Sequence, residues 1–266
     1  MIGQLPQCRG CSVIPGAPTG TSYTEENRTV RVGLASKIKS WVVPRGKIVR
    51  SIQVGPLRGL KMNLDLAYET QMFLGLAERE IHPVLRQFSR DARTAVDVGA
   101  AFGEYVLFFL TRTPAKQIFA FEPEPQMRAP LDSNLALNGV QRDPRLRFSS
   151  QYVGTTNDER TITLDSLAHQ IEPPCIIKVD VDGAEMDVLK GASHLLGSNG
   201  IRWIVETHSR LLEDECMGLF QNSGYDTKII PNAWWRLFLP EQRPIEHNRW
   251  LLATKEGPPS DACARS

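Results

Sequence analysis

The sequence predicts an α/β protein built on a doubly wound, mostly parallel sheet with helices on both faces. Three observations predict it. From Arg93 onward, strand-like and helix-like stretches alternate regularly, the order that builds a parallel sheet. The strand-like stretches are short, continuous apolar runs rather than apolar–polar alternations, as expected of strands covered on both faces. The first of them, residues 95–98, leads into a bend of small residues (Gly99, Ala100, Ala101, Gly103) and then a strongly apolar helix from Glu104.

Residues 1–27 are rich in Pro, Gly, Thr and Ser without hydrophobic period, the composition of a mobile tail. Residues 28–92 form an appendage expected to pack beside the sheet and cover its ligand end. Within it 47–54 and 60–66 are strand-like, and Gly55-Pro-Leu-Arg-Gly59 between them makes a hairpin. A short helix spans 68–76. A second begins near Glu80, because Pro83 is tolerated only in a first turn. The main domain is 93–256. Its second strand, 117–122, ends on Glu122 and precedes a helix over 124–138; the third is 145–148, and the loop 149–154 would hold an adenine edge. A short extra strand at 160–164 and a helical turn to Gln170 follow, until Pro173 and Pro174 break the chain. The central fourth strand is 175–180. The helix 184–196 buries Val188, Leu189, Ala192, Leu195 and Leu196 on one face. Strand 201–206, helix 214–223, strand 225–230 and a closing strand 249–254 complete the sheet, and 257–266 is a tail.

A strand, a glycine bend and a helix in that order leave backbone N–H groups free at a helix N-terminus. The spacing here is Gly99-x-x-x-Gly103, with alanine at 101 where a dinucleotide fingerprint has the glycine that admits pyrophosphate. The wider bend suits a smaller ligand, and S-adenosylmethionine fits, with Asp97 answering its ammonium group. Glu122 stands at roughly the 20-residue offset at which a carboxylate accepts from both ribose hydroxyls. The alternative is that Glu122 caps the helix behind it.

The fourth and fifth strands carry Asp180, Asp182, Gly183, Glu185, Glu206 and His208 to the edge of the sheet where ligands sit. Alternation turns Glu206 and His208 to one side. Methyl transfer from a sulfonium to a hydroxyl requires alignment and a base. His208 is the first candidate base and Asp180 the second, with Glu206 beside them; the bland alternative is a histidine capping the next helix. In a minority reading Asp180, Asp182, Glu206 and His208 chelate Mg²⁺.

Lys plus Arg total 31 against 30 Asp plus Glu, a net charge of +1, so nothing calls for a nucleic-acid partner. The N-terminus lacks the parts of a signal peptide and no apolar run is long enough for a membrane span. Five cysteines, an odd number, make no disulfide framework, so the cytoplasm is the expected location. Cys8-x-x-Cys11 has no second pair to complete a metal site. Cys175 opens its strand, the wrong end for a nucleophile, and belongs to the core.

Together the motifs Val96-Asp-Val-Gly-Ala-Ala-Phe-Gly-Glu-Tyr105, Phe119-Ala-Phe-Glu-Pro123, Asn134-Leu-Ala-Leu-Asn138, Ile177-Lys-Val-Asp-Val-Asp-Gly-Ala-Glu185, Val188-Leu-Lys-Gly191 and Ile204-Val-Glu-Thr-His208 resemble the FkbM family of S-adenosylmethionine-dependent O-methyltransferases. The resemblance spans about 64–225. It implies a Rossmann-like class I methyltransferase fold, with seven strands in the order 3-2-1-4-5-7-6, and methylation of a hydroxyl on a sugar, glycan or natural product. It also implies a cofactor-binding set of Asp97, Gly99, Ala100, Phe102, Gly103, Glu122, Pro123 and Asp180. Val181-Asp-Gly183 stands where the family commonly has Glu before the glycine. Beyond the resemblance, Trp234 and Trp235 suit stacking on a sugar, with Arg236 or Arg243 for an acidic group; a plug at the sheet edge or a homodimer contact fits equally. The competing classes are an NAD-dependent dehydrogenase or epimerase, which lacks its G-x-G-x-x-G and Tyr-x-x-x-Lys here, and a non-catalytic binding module of the same fold.

Overall fold

The computed structural model describes residues 46–232 and 247–255; the two expected tails, Cys8, Cys11 and the segment with Trp234, Trp235, Arg236 and Arg243 lie outside the described residues. A two-stranded antiparallel hairpin comes first, β1 (Ile48–Ser51) and β2 (Lys61–Leu64), followed by α1 (Thr70–Leu74), a 3₁₀ turn (Arg79–Ile81) and α2 (His82–Ser89). Pro83 falls in the first turn of α2, as its missing N–H requires.

The main unit then alternates β3 (Thr94–Val98), α3 (Glu104–Arg112), β4 (Gln117–Phe121), α4 (Pro125–Leu137) and β5 (Leu146–Ser149). After two short strands, β6 (Tyr152–Val153) and β7 (Thr161–Ile162), and a 3₁₀ segment (Leu164–Gln170), it continues with β8 (Cys175–Val179), α5 (Glu185–Lys190), α6 (Ser193–Gly197), β9 (Ile201–Thr207), α7 (Arg210–Asn222), β10 (Asp226–Ile230) and β11 (Arg249–Thr254).

The seven-stranded sheet runs β10-β11-β9-β8-β3-β4-β5. Numbered along the sheet's own strands, that is 3-2-1-4-5-7-6 read from β5. Pairs among β5, β4, β3, β8 and β9 are parallel, and β11 is antiparallel to both β9 and β10. The order reverses between β3 and β8, and a crevice at the carboxyl ends of those strands is where such a sheet takes a ligand.

Every residue of β3 and of β8 is buried, which explains why both read as continuous apolar runs. Their side chains still alternate: Ala95, Ile118, Ile176, Ile204 and Trp250 enter one core with α2, α3 and α4, whereas Val96, Phe119, Ile177, Val205 and Leu251 enter the other with α5, α6 and α7.

Three expectations need correction. The single helix foreseen over 184–196 is two, α5 and α6, broken at Gly191. A side chain there would lie 1.9 Å from the Gly154 carbonyl oxygen, and the Gly191 carbonyl itself accepts from the Asp165 N–H. Asp165 then opens α6, its carboxylate accepting from the N–H groups of His194 and Leu195. Second, α7 begins at Arg210 rather than 214, because the Ser209 side chain accepts from the Leu212 N–H and caps it. Third, the extra strand expected over 160–164 is only Thr161–Ile162, paired in parallel with β6, because Thr163 caps the 3₁₀ segment that starts at Leu164.

Candidate active site

The bend after β3 is shaped by backbone conformations that side chains rarely adopt. Gly99 and Gly103 have φ of 84° and 83°, and Ala101 itself sits at 41°. Gly99 has no room for a side chain, since a Cβ would come within 1.9 Å of the Asp180 carbonyl oxygen at the end of β8. The glycine therefore serves the close approach of β3 to β8. The free amides expected in this bend are largely engaged. Those of Gly99 and Ala100 donate to the Phe121 carbonyl at 3.0 and 2.9 Å, and that of Gly103 to the Ala100 carbonyl at 2.7 Å.

The Ala101 N–H donates to Glu122 Oε2 at 2.8 Å, and the Glu124 N–H to Oε1 at 2.9 Å. Glu122 thus ties the bend to the end of β4 and supports the start of α4, so both of its expected roles begin from one geometry. Each oxygen keeps a further lone pair for a ligand. Pro123 follows, half-buried. Phe102 gives its carbonyl to the Asn134 side-chain amide at 2.9 Å.

Behind the bend lies a charged group that sequence reasoning passed over. Lys178, in the middle of β8, is buried, with Nζ 3.6 Å from Asp97 Oδ1, 3.2 Å from Asp180 Oδ2 and 4.4 Å from the centre of the Tyr105 ring. Burial works against its charge, but Asp180 and Asp97 outweigh that and hold its pKa above the usual lysine range. Asp97 is fully enclosed and neither of its oxygens has a hydrogen-bond partner; burial pushes its pKa up to about 6 against the pull of Lys178. The Tyr105 hydroxyl donates to Glu78, a residue of the N-terminal unit held at φ 48°. The visible signal was one lysine inside an otherwise apolar strand.

Asp180, Asp182, Glu206 and His208 meet at the ends of β8 and β9. His208 Nε2 lies 3.8 Å from Asp180 Oδ1, 3.4 Å from Asp182 Oδ1 and 3.7 Å from Glu206 Oε2. Its other ring nitrogen faces the buried Glu185 carboxylate at 2.5 Å, and the His208 backbone N–H reaches the same oxygen at 3.3 Å. A carboxylate only accepts, so Nδ1 directs a proton at Glu185, and Nε2 is the ring nitrogen turned to the other three acids. Burial disfavours the imidazolium, but Glu185, Asp180 and Asp182 raise the His208 pKa above its ordinary value. Glu206 is pushed up by burial and by the Asp180 carboxylate, while Asp180 is held low against its own burial by Lys178. The two acids are thus pulled apart, Asp180 toward its charged form and Glu206 toward its neutral one. His208 does not cap α7; Ser209 does.

The structure thus gathers the foreseen site residues into two groups on one rim: Gly99, Ala100, Phe102, Gly103, Glu122 and Pro123 around the bend, and Asp180, Glu206 and His208 beyond it. Asp97 and Lys178 lie beneath, between them.

Residues 139–230 match the family described as the methyltransferase FkbM domain. Over 219 residues, 73% of this chain and 90% of the relative, the sequence is 23% identical to the hexuronic acid methyltransferase AglP of Haloferax volcanii. Among solved structures, the methyltransferase FkbM from Methylobacillus flagellatus superposes with a TM-score of 0.46 at 17% identity, covering 62% of this chain and 44% of that one, so this chain spans less than half of it. A tRNA (m1A22) methyltransferase described as putative, from Streptococcus pneumoniae and solved with S-adenosyl-L-methionine, gives 0.42 at 15% identity over 68% and 74% of the two chains. The protein is an S-adenosylmethionine-dependent methyltransferase in which residues 139–230 are similar to the FkbM domain.

Proposed function

We propose that this methyltransferase acts on oxygen, transferring its methyl group to a hydroxyl of a sugar, glycan or related natural product. The observation that carries the proposal is the shared rim: the Gly99–Gly103 bend with Glu122 lies at the carboxyl ends of β3 and β4, and Asp180, Glu206 and His208 lie at those of β8 and β9. Two features of the chain fit the cofactor. Glu122 is oriented by a hydrogen bond from the bend and retains acceptor capacity for ribose hydroxyls. Asp97 is a fully buried carboxylate without hydrogen-bond partners beneath the bend, and its negative charge, shared with Lys178, favours a cationic group above it at a distance or through water.

Bound there, S-adenosylmethionine would supply an electrophilic methyl group whose leaving group, the neutral thioether of S-adenosylhomocysteine, needs no acid. The residues of the chain supply the rest. Asp180 and Glu206 orient the acceptor hydroxyl, and the open Nε2 of His208 receives its proton, with Glu185 fixing the ring. Similarity to a hexuronic acid methyltransferase supports a sugar acceptor. Cys175 and Cys216, free thiols in the core, are in keeping with a reducing cytoplasm.

Calorimetric titration of the purified chain with S-adenosylhomocysteine and NAD, and mass spectrometry of sugar acceptors incubated with the cofactor, test the proposal together. Binding of the first, none of the second and a methyl increment on an acceptor oxygen are expected. His208→Ala should lower turnover by about 100-fold or more while leaving cofactor affinity unchanged. Turnover at the original rate would remove His208 from the reaction.

A further inference from the structure

We infer that the Asp180–Glu206–His208 cluster is a binding site for a divalent transition-metal cation. One atom from each of the three, a carboxylate oxygen from either acid and an imidazole nitrogen, all lie within 4.8 Å of one another. Clustered acids alone would not point to a cation, but His208 does. Its side chain is nine-tenths buried, at 9% exposure, and Nε2 has no hydrogen-bond partner. That nitrogen is turned toward three carboxylates, with nitrogen–oxygen separations of 3.4, 3.7 and 3.8 Å. These are too long for hydrogen bonds. They are close to the edge of about 3.4 Å between two ligands each about 2.1 Å from a tetrahedral ion.

The surroundings of the three ligands match what a metal-binding imidazole needs. Nδ1 is hydrogen-bonded to Glu185, a fully buried carboxylate that fixes the ring and the tautomer, the arrangement that orients a ligating histidine and raises its basicity. Asp180 is divided between two tasks: Oδ2 faces Lys178 and Oδ1 faces His208. Asp182, 65% exposed and 3.4 Å from Nε2, stands at the open side and provides the way in. One imidazole with two or three carboxylates favours a first-row transition ion over Mg²⁺, which is held chiefly by oxygen, and Mn²⁺, which accepts oxygen and nitrogen ligands, is a paramagnetic probe of such a site.

The inference deepens the proposed reaction and depends on it for its use, although not for its existence. With a cation seated, Glu206 and Nε2 of His208 would hold it in their deprotonated forms, releasing their protons to solvent, and His208 would no longer be the base. The ion would supply polarisation of an acceptor hydroxyl, and Asp182 would be the nearby carboxylate left to take its proton.

The experiment is calorimetric titration of the EDTA-stripped full chain with MnCl₂ in the absence of cofactor and acceptor, supported by the Mn²⁺ electron paramagnetic resonance signal. One site per chain is expected, weakened about tenfold or more in both His208→Ala and Glu206→Gln. Glu185→Gln, which touches the ion only through His208, should weaken it less. Circular dichroism and S-adenosylhomocysteine binding verify that each variant is folded. Lack of a stoichiometric site, or binding unaffected by His208→Ala and Glu206→Gln, would overturn the inference. Because S-adenosylhomocysteine binding is read separately, an unsubstituted chain that binds S-adenosylhomocysteine but no Mn²⁺ defeats this inference alone, and one that binds Mn²⁺ but no S-adenosylhomocysteine defeats the reaction proposed above.

Discussion

Lys178 shows how much of the site is decided by one residue. An ammonium in a central strand is costly to bury, and it is tolerated because Asp97 and Asp180 answer it and the Tyr105 ring lies against it. The pairing works in both directions, because Asp97 has no other partner among the described residues and would be a bare buried charge without Lys178. Lys178→Met, which keeps the volume and removes the charge, should therefore lower unfolding free energy by about 3–5 kcal/mol. Urea denaturation measures it. Adding Asp97→Asn to the same chain should recover part of the loss, since the stranded carboxylate is then gone; a double variant no more stable than Lys178→Met would mean that the lysine acts through packing alone. Asp97 was foreseen as a cofactor contact and Lys178 only as one letter of a family motif. The pair joining them is not local, because it depends on β3 and β8 lying side by side although Thr94 and its partner Cys175 are far apart in the chain.

At the scale of elements, the strands of the sheet were legible because burial on both faces leaves a continuous apolar run with little ambiguity. Helix ends were not. The break between α5 and α6 and the early start of α7 are set by contacts of Gly191 with Gly154 and of Ser209 with Leu212, the first of which joins segments distant in sequence. The N-terminus of α3 carries the next consequence. Glu104 opens that helix with Oε2 enclosed and without a hydrogen-bond partner, and burial pushes its pKa up to about 8 despite the pull of Lys178. The folded state then holds a proton that the unfolded chain has released above pH 4.5. Stability from this group is complete below that pH and falls as pH rises toward about 8, the reverse of an ordinary ion-paired carboxylate. Glu104→Gln keeps the shape without the titration, so its unfolding free energy should depend less steeply on pH between 5 and 8. Parallel denaturation curves for the two proteins across that range would contradict the assignment.

At the scale of the whole molecule, the N-terminal unit is fastened to the sheet-bearing unit through asparagines rather than through a shared sheet. The outer edge of β2 is met by α4: the Asn63 N–H donates to Asn134 Oδ1 and the Lys61 N–H to Asn138 Oδ1, each at 2.9 Å, while Asn138 Nδ2 returns a bond to the Lys61 carbonyl at 2.7 Å. Side-chain amides here occupy backbone groups that an edge strand would otherwise leave open. The same Asn134 donates to the Phe102 carbonyl, so the fastening of the hairpin and the position of the Gly99–Gly103 bend share one residue. The sequence showed Asn134 and Asn138 as a spaced pair four residues apart on one helix face, but their partners lie 71 and 77 residues away and no local pattern names them. Asn134 is 1% exposed, so Asn134→Ala leaves the Asn63 N–H and the Phe102 carbonyl unpaired in a dry setting, at a cost of about 1–3 kcal/mol each. The Asn138 bonds to Lys61 are exposed, and water replaces them at a cost of about 1 kcal/mol or less. Asn134→Ala should consequently be the more damaging in denaturant, speed hydrogen exchange at the Asn63 amide and weaken S-adenosylhomocysteine binding. Asn138→Ala should speed exchange at Lys61 and leave cofactor affinity unchanged. Equal effects of the two on cofactor binding would show that the hairpin, rather than the Asn134–Phe102 bond, holds the bend in place.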